Sequence, residues 1–427
     1  MDSRRAGAFV AALLGLALMG CTSSTPPSVA SGPAASPTSS ASPTPSAFPT
    51  GLRYRELTQR LGDGKPVRLY VLGVAPDARV RVTGVHGSDL AGSETVRSMS
   101  ASAGALVAVN GTYYDIATGH DYSGYEGDAL GLYLEKGRVL SEALAGRPAL
   151  LLGESGGRLT ARVADTSTVG RLRAADGARR ELDGVNRVAG RILGCGGVGD
   201  DRIATTGQPR TTPYNGLCTD ADEVVSFTKE WGADTPPGPD GSTEVLLAAD
   251  GTVLGTRTPA GGPLPKGGSS LYGIGTGAHW LRAHAEKGTD IAVSMRVTDA
   301  DGLPLTGGAV DTALGGSAWL VRDGALAPDA ARLGTDREPR TVAGVTVDGT
   351  LLLVAIDGRA KGVSVGATPT EAARILLSFG AVDAVNLDGG GSTTVVVGGE
   401  LRNSPRGTEN GAVTERRVAD GIAILPQ

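Results

Sequence analysis

The chain has 427 residues, a formal net charge of −5, 66 glycines, three cysteines and only 4% aromatic residues. A mildly acidic surface without Lys/Arg blocks excludes nucleic acid as an expected partner. Beyond the first twenty residues no apolar run approaches membrane-spanning length, and the remaining chain suffices for one large domain or two smaller ones.

The N-terminus pairs basic residues, Arg4 and Arg5, with an apolar run from Ala8 to Met19. That run is too short for a stable membrane span and has the layout of a signal peptide over residues 1–20. The junction Leu18-Met19-Gly20-Cys21 resembles the lipobox of bacterial lipoproteins. The resemblance implies cleavage before Cys21, lipid on its sulfur, and a chain held at the outer face of the cytoplasmic membrane. Residues 21–50 are almost entirely Ser, Pro, Thr and Ala, with no charged side chain. Such a segment cannot bury enough apolar surface to offset its chain entropy. It reads as a tether of about 30–50 Å.

From Gly51 to Gln427 strand-like runs dominate, punctuated by turn signals, and helices are few. A helix is expected over Glu94–Ser102. The next signal is Ala108-Val109-Asn110-Gly111-Thr112-Tyr113-Tyr114-Asp115, an apolar strand ending in polar and aromatic residues. Leu132–Leu134 with Lys136-Gly137, Val245–Ala248 with Asp250-Gly251, and Val342–Val347 with Asp348-Gly349 have the positive-φ dipeptides of tight hairpins. Cys195 and Cys218 are expected to pair in an oxidising compartment and close a Gly/Pro/Thr-rich loop. Gly232–Pro239 reads as an excursion within one domain, and Gly277–Ala285 as a second helix. Thr368-Pro369-Thr370-Glu371 opens a third with a capping box and proline at its first position. Ala372, Ile375, Leu376 and Phe379 supply its buried stripe, and Gly380 its stop. The expected class is α+β, with mixed or antiparallel sheets and a few packed helices.

The densest chemical signal is Asn386-Leu387-Asp388-Gly389-Gly390-Gly391-Ser392-Thr393-Thr394. Strand Ala381–Leu387 delivers a carboxylate into a triple-glycine turn followed by three hydroxyls. Glycines let backbone N–H groups approach a ligand closely. No Gly-Lys-Ser/Thr follows, so this is not a nucleotide-binding phosphate loop. Pro339-Arg340-Thr341 opens a hairpin whose return strand ends in Asp357-Gly358-Arg359, and Glu415-Arg416-Arg417-Val418-Ala419-Asp420 lies near the C-terminus. The four histidines, His86, His120, His279 and His284, lack metal-ligand spacing, and no metal or cofactor is expected. Ser392 has no evident histidine base, which disfavours a hydrolase triad.

Taken in order, these segments resemble the phosphodiester glycosidase family, from about Arg68 to the end. The likeness is least specific over Gly153–Pro239 and Leu254–Gly273. Two departures stand out: Thr112-Tyr113-Tyr114 where Gly-Phe-Phe is common, and Asp420 where asparagine is more usual. The chemistry suits the residue types. Cleaving the C1–O bond of a sugar-1-phosphodiester expels a phosphomonoester whose conjugate acid has pKa ~6. The site then needs charge neutralisation on phosphate, and a carboxylate for the oxocarbenium-like centre or the attacking water. Arginine suits the first task through its planar fork, giving Arg340, then Arg416, with Arg359 also a candidate. Asp388 is the first choice for the carboxylate and Asp357 the second. Asn110 and Asn386 are expected to hold sugar hydroxyls or orient Asp388, with Gly389, Gly390, Gly391, Ser392 and Thr393 lining the substrate. The expected function is an extracytoplasmic glycosidase acting on sugar phosphodiesters in envelope or extracellular glycopolymers. The alternatives are a non-catalytic glycan-binding lipoprotein and a phosphodiesterase cutting the P–O bond.

Overall fold

The computed structural model describes residues 48–427 except 117–123, 145, 196–200, 211, 213, 215, 306, 307 and 309. The expected signal peptide, Cys21, most of the tether and His120 lie outside the described residues.

Alternating burial within strands explains the layering. In Leu351–Ile356, Leu352, Val354 and Ile356 join one core cluster while Leu353 and Ala355 join another, as the two-residue side-chain period requires. This strand sits in a seven-stranded antiparallel sheet in the order Leu52–Arg60, Pro66–Val74, Leu351–Ile356, Arg340–Thr346, Ala381–Asn386, Ala318–Arg322, Ala325–Leu326. Helix Pro369–Ser378 covers one face through Ala372, Ala373, Ile375 and Leu376. The other face packs on a five-stranded sheet: Val80–His86, Asp420–Pro426, Val107–Asn110, Val395–Val397, Glu400–Leu401. Helix Val96–Ala103 closes the far side with Val96 and Met99. The order of layers is helix, sheet, sheet, helix. Each fully buried Leu, Val or Ile contributes about 1.5–3 kcal/mol.

Two smaller cores support a β-rich extension. Its main sheet is built on Arg147–Ser155 and the 17-residue strand Arg158–Ala174, with a five-stranded sheet beside helix Gly275–His284. Helices and sheets are both present, as expected, but strands outweigh helices more than the α+β expectation allowed. The expected helix at Glu94 starts later. Glu94–Thr95 pairs as a strand with Arg417–Val418, and Thr95 then caps the helix by accepting from the Ser98 N–H at 3.2 Å. The capping box at Thr368 and Glu371 is complete. Gly232–Pro239 is not a boundary: Trp231 is fully buried, and Asp234–Thr235 pairs with Gly262–Pro263. Cys195 and Cys218 form a disulfide with Cα atoms 6.0 Å apart. Among the described residues no helix is long and apolar enough to cross a membrane.

Candidate active site

The site forms where strand ends of the two stacked sheets meet. Strand Ala381–Asn386 lies between Arg340–Thr346 and Ala318–Arg322, ends on Asn386 and delivers Leu387 and Asp388 past its end. The turn is clipped to its neighbour, because the Leu387 N–H donates to Thr341 O (3.0 Å) and the Gly390 N–H to Pro339 O (2.7 Å). Each glycine then has its own reason. A Cβ on Gly389 would stand 2.9 Å from the Pro339 carbonyl oxygen. Gly390 has φ +59°, the left-handed region that favours glycine. A Cβ on Gly391 would meet the Arg416 guanidinium at 2.6 Å. The turn therefore presents bare backbone to two arginines.

Asp388 is 8% exposed. Its Oδ1 accepts from the Gly389 N–H at 2.8 Å. Its Oδ2 is buried with no hydrogen-bond partner, as are Asn386 Oδ1, Thr393 Oγ1 and Thr394 Oγ1. Leaving buried polar atoms unpaired costs about 1–3 kcal/mol each. Four in one turn mark a place where polar ligand groups would be received. Burial pushes the Asp388 carboxyl up to about 6, with the Ser392 hydroxyl, the Gly389 N–H and the Arg416 charge pulling the other way.

Asn110 is a staple rather than a ligand contact. Its Nδ2 donates to Asp388 O (2.8 Å), and its Oδ1 accepts from the Thr341 hydroxyl (2.6 Å) and the Thr394 N–H (3.1 Å). It binds three strand ends and is fully buried. Asn386 donates to the Tyr113 hydroxyl (2.6 Å), Ser317 Oγ (3.0 Å) and Leu387 O (3.0 Å), leaving only its Oδ1 available.

Arg340 is fixed through Nε to Ala367 O (2.6 Å) and through one terminal nitrogen to Asp336 O (3.2 Å). Burial lowers its pKa, and Tyr113 is the first group acting against that. Among the described residues it has no ion-pair partner, and neither has Arg416, which donates to Ser392 Oγ at 3.4 Å. Arg359 differs. It pairs with Glu338 (2.7 Å), donates to the Arg406 and Gly407 carbonyls, and supports Gly390 from outside.

Asp357 stands apart in its bonding. Its oxygens accept from the Tyr70 hydroxyl (3.0 Å), Asn403 Nδ2 (3.1 Å) and the Ser404 N–H (3.1 and 3.2 Å). A carboxylate so saturated anchors the 403–404 segment and has little left to offer a substrate, so the geometry favours Asp388 over Asp357, the second choice for the key carboxylate. Asp420, the departure noted in the sequence, is the buried carboxylate that does couple to Asp388. It accepts from the Thr112 N–H (2.8 Å) and the Thr112 hydroxyl. Burial, then the Asp388 and Glu135 charges, raise it to about 7 against the Thr112 bonds.

Two tyrosines belong to the site although sequence reasoning gave them no role there. Burial and the Asp388 charge push Tyr113 up to about 12 and raise Tyr114 as well. Their adjacency to the Asn110 strand end was the available signal. Arg147, from a distant strand, is within electrostatic reach of Tyr113 and had no local signature. Among the described residues no cluster of His, Cys, Asp or Glu is spaced to hold a metal ion.

The sequence pattern described as phosphodiester glycosidase matches residues 243–425, which include the turn and Arg340, Arg359 and Arg416 but not Asn110. A crystal structure of a Burkholderia pseudomallei K96243 protein described as exported is similar at 31% identity and a TM-score of 0.73, over 85% of this chain and 74% of that one. A Synechocystis protein of 19% identity shares the fold, with a TM-score of 0.67 over 88% of this chain and 62% of that one. An uncharacterised SPbeta prophage-derived protein of Bacillus subtilis (strain 168), YomE, is 35% identical over 144 residues. That match spans 33% of this chain and 21% of YomE.

Proposed function

The chain belongs to the phosphodiester glycosidase family, and from that premise we propose that it hydrolyses the C1–O bond of sugar phosphodiesters in envelope or extracellular glycopolymers. The observation that carries this reading is Asp388: one carboxylate oxygen buried, unpartnered and set beside Arg416. Asp388 acts at the sugar carbon, stabilising its developing positive charge or taking a proton from the attacking water. Arg340 and Arg416 neutralise the phosphate, whose charge grows as the bond breaks. Tyr113 and Asn386 orient the sugar beside Asp388, while Asn110 and Arg359 hold the turn.

The test is release of free reducing sugar from a sugar-1-phosphodiester. Asp388→Asn keeps the shape and removes the charge, so turnover should fall by about 10² or more with binding nearly intact. Arg340→Ala should weaken binding and slow the chemistry together, with Arg340→Lys rescuing only part, because a point charge cannot reproduce the fork. Full activity in Asp388→Asn removes the assignment. Binding without cleavage by the wild type leaves a glycan-binding protein, and phosphate retained on the glycosyl fragment makes it a phosphodiesterase.

The place of action is part of the same proposal. The disulfide, of a kind that persists in oxidising compartments, and the Burkholderia protein described as exported support an extracytoplasmic site. The lipobox-like junction supports anchoring through a lipidated Cys21. Cys21→Ser should release the domain from membranes or leave an uncleaved precursor; unchanged fractionation and processing contradict the anchor.

A further inference from the structure

Strand Arg158–Ala174 changes character along its length. Near its start Leu159, Ala161 and Val163 pack into the core shared by the two main sheets. Asp165, on the same face, accepts the Trp319 indole N–H at 2.6 Å. Trp319 lies two residues beyond Ser317, which accepts from Asn386 in the candidate site. Past that point the face turns outward, with Val169, Arg171 and Arg173 exposed.

The flanking strands complete a basic surface. Arg171 stands opposite Ser294 on one side and Glu181 on the other; Arg173 stands opposite Ala292 and Arg179. Arg296, opposite Val169, extends the row. These residues other than Arg296 border a groove of about 510 Å³. Arg180 also borders the groove, but its guanidinium is engaged by Asp222 O and Thr276. Arg171, Arg173, Arg179 and Arg296 have no ion-pair partner among the described residues, and Glu181 is the groove's one acidic residue. Like charges directly opposite each other destabilise an antiparallel pair, yet Arg173 and Arg179 are so placed in a chain of net charge −5. An anion lying between them removes that repulsion. Arg171 and Arg173 are two residues apart on one strand, so their side chains emerge about 6.6 Å apart, and each fork suits phosphate. From Asp165 to Arg173 the strand covers about 26 Å.

We propose that the groove around Arg171, Arg173 and Arg179 is an accessory binding site for a phosphate-bearing, polyanionic glycan chain that continues outward from the Asp388 site. It rests on the phosphodiester glycosidase reading and adds to it that the substrate is a polymer, gripped at several phosphates. Linking the two contacts on one chain raises the effective concentration of scissile bonds at Asp388.

The experiment measures binding, so it stands whether or not the protein cleaves the probe. Wild type and the triple variant Arg171→Gln/Arg173→Gln/Arg179→Gln are titrated with a synthetic glycosyl-phosphate oligomer long enough to span both regions, and with its single repeat. The triple variant should lose about tenfold or more in oligomer affinity near physiological salt, with single-repeat affinity unchanged. The corresponding lysine variant should recover part of the affinity, because it keeps the charge and loses the fork. If the triple variant does not fold, judged by circular dichroism, Arg173→Gln alone decides, with about a threefold loss expected. Equal oligomer binding by wild type and variant overturns the groove while leaving the Asp388 site intact. A variant that loses binding only to phosphatidylglycerol vesicles, with oligomer binding unchanged, overturns it in favour of a lipid surface.

Discussion

Asp388 and Asp420 are two buried carboxylates with different work. Asp420 spends its oxygens on Thr112, and Gly111, beside Thr112, accepts the Asp388 N–H at 3.1 Å, so Asp420 supports the turn from behind. Burial raises both carboxyls, Asp388 to about 6 and Asp420 to about 7, and the Asp388 charge adds to the rise at Asp420. A raised folded-state pKa means that ionisation costs the folded protein more than the unfolded one. The stability these groups allow is therefore complete below about pH 4 and is lost as pH rises through 6 and 7. Asp388→Asn should then stabilise the ligand-free protein at pH 8, by about 3 kcal/mol if the whole shift is released, and much less at pH 4. Thermal melts at the two pH values measure the difference. The wild-type kcat/KM should rise with pH through about 6 as Asp388 ionises. Equal stabilisation at both pH values would show that Asp388 is not held out of water as its surroundings imply.

At the scale of elements, the triple-glycine turn depends on close approach. Gly391→Ala places a methyl carbon against Arg416 and should displace the guanidinium, lowering kcat/KM by about tenfold or more while leaving the sheets folded. Gly407→Ala, open around its Cβ position and free of positive φ, is the matched control, and equal effects from both would remove the argument. Elements with local signatures were legible in the sequence. Helix Pro369–Ser378 announced itself by its capping box and apolar stripe, and the hairpin Arg340–Ile356 by Asp348-Gly349. The turn's glycines and hydroxyls were legible for the same reason. The role of Asp357 was not, because it depends on Tyr70, Asn403 and Ser404, which reach it only in the folded sheet. Asn110 as a staple and Arg147 within electrostatic reach of Tyr113 were hidden likewise: long-range pairing, not local periodicity, places them.

At the scale of the whole molecule, the site is assembled from chain segments hundreds of residues apart, and the β-rich extension borders it. Arg191 bonds Asp115, the residue after Tyr114, at 2.8 Å. Arg147, which feels the Tyr113 charge, donates to Tyr214 O at 3.2 Å, and the Tyr214 N–H donates to Cys195 O at 2.8 Å. The disulfide therefore closes a segment docked against the rim of the site, its cysteines 23 positions apart in sequence. Loop-closure entropy for such a span corresponds to about 3 kcal/mol at most. The two main sheets bury their own cores without it, so its loss should loosen this segment first. Cys195→Ser/Cys218→Ser should lower the melting midpoint by several degrees at most. It should also make the 191–219 segment readily cleaved by protease, and reduce kcat/KM as Arg147 and Asp115 lose their supports. Mapping the cleavage sites by mass spectrometry checks the order of events. Cleavage appearing first in the central sheets, or a double variant with the wild type's midpoint, protease resistance and activity, would show that the bond supports neither the segment nor the site.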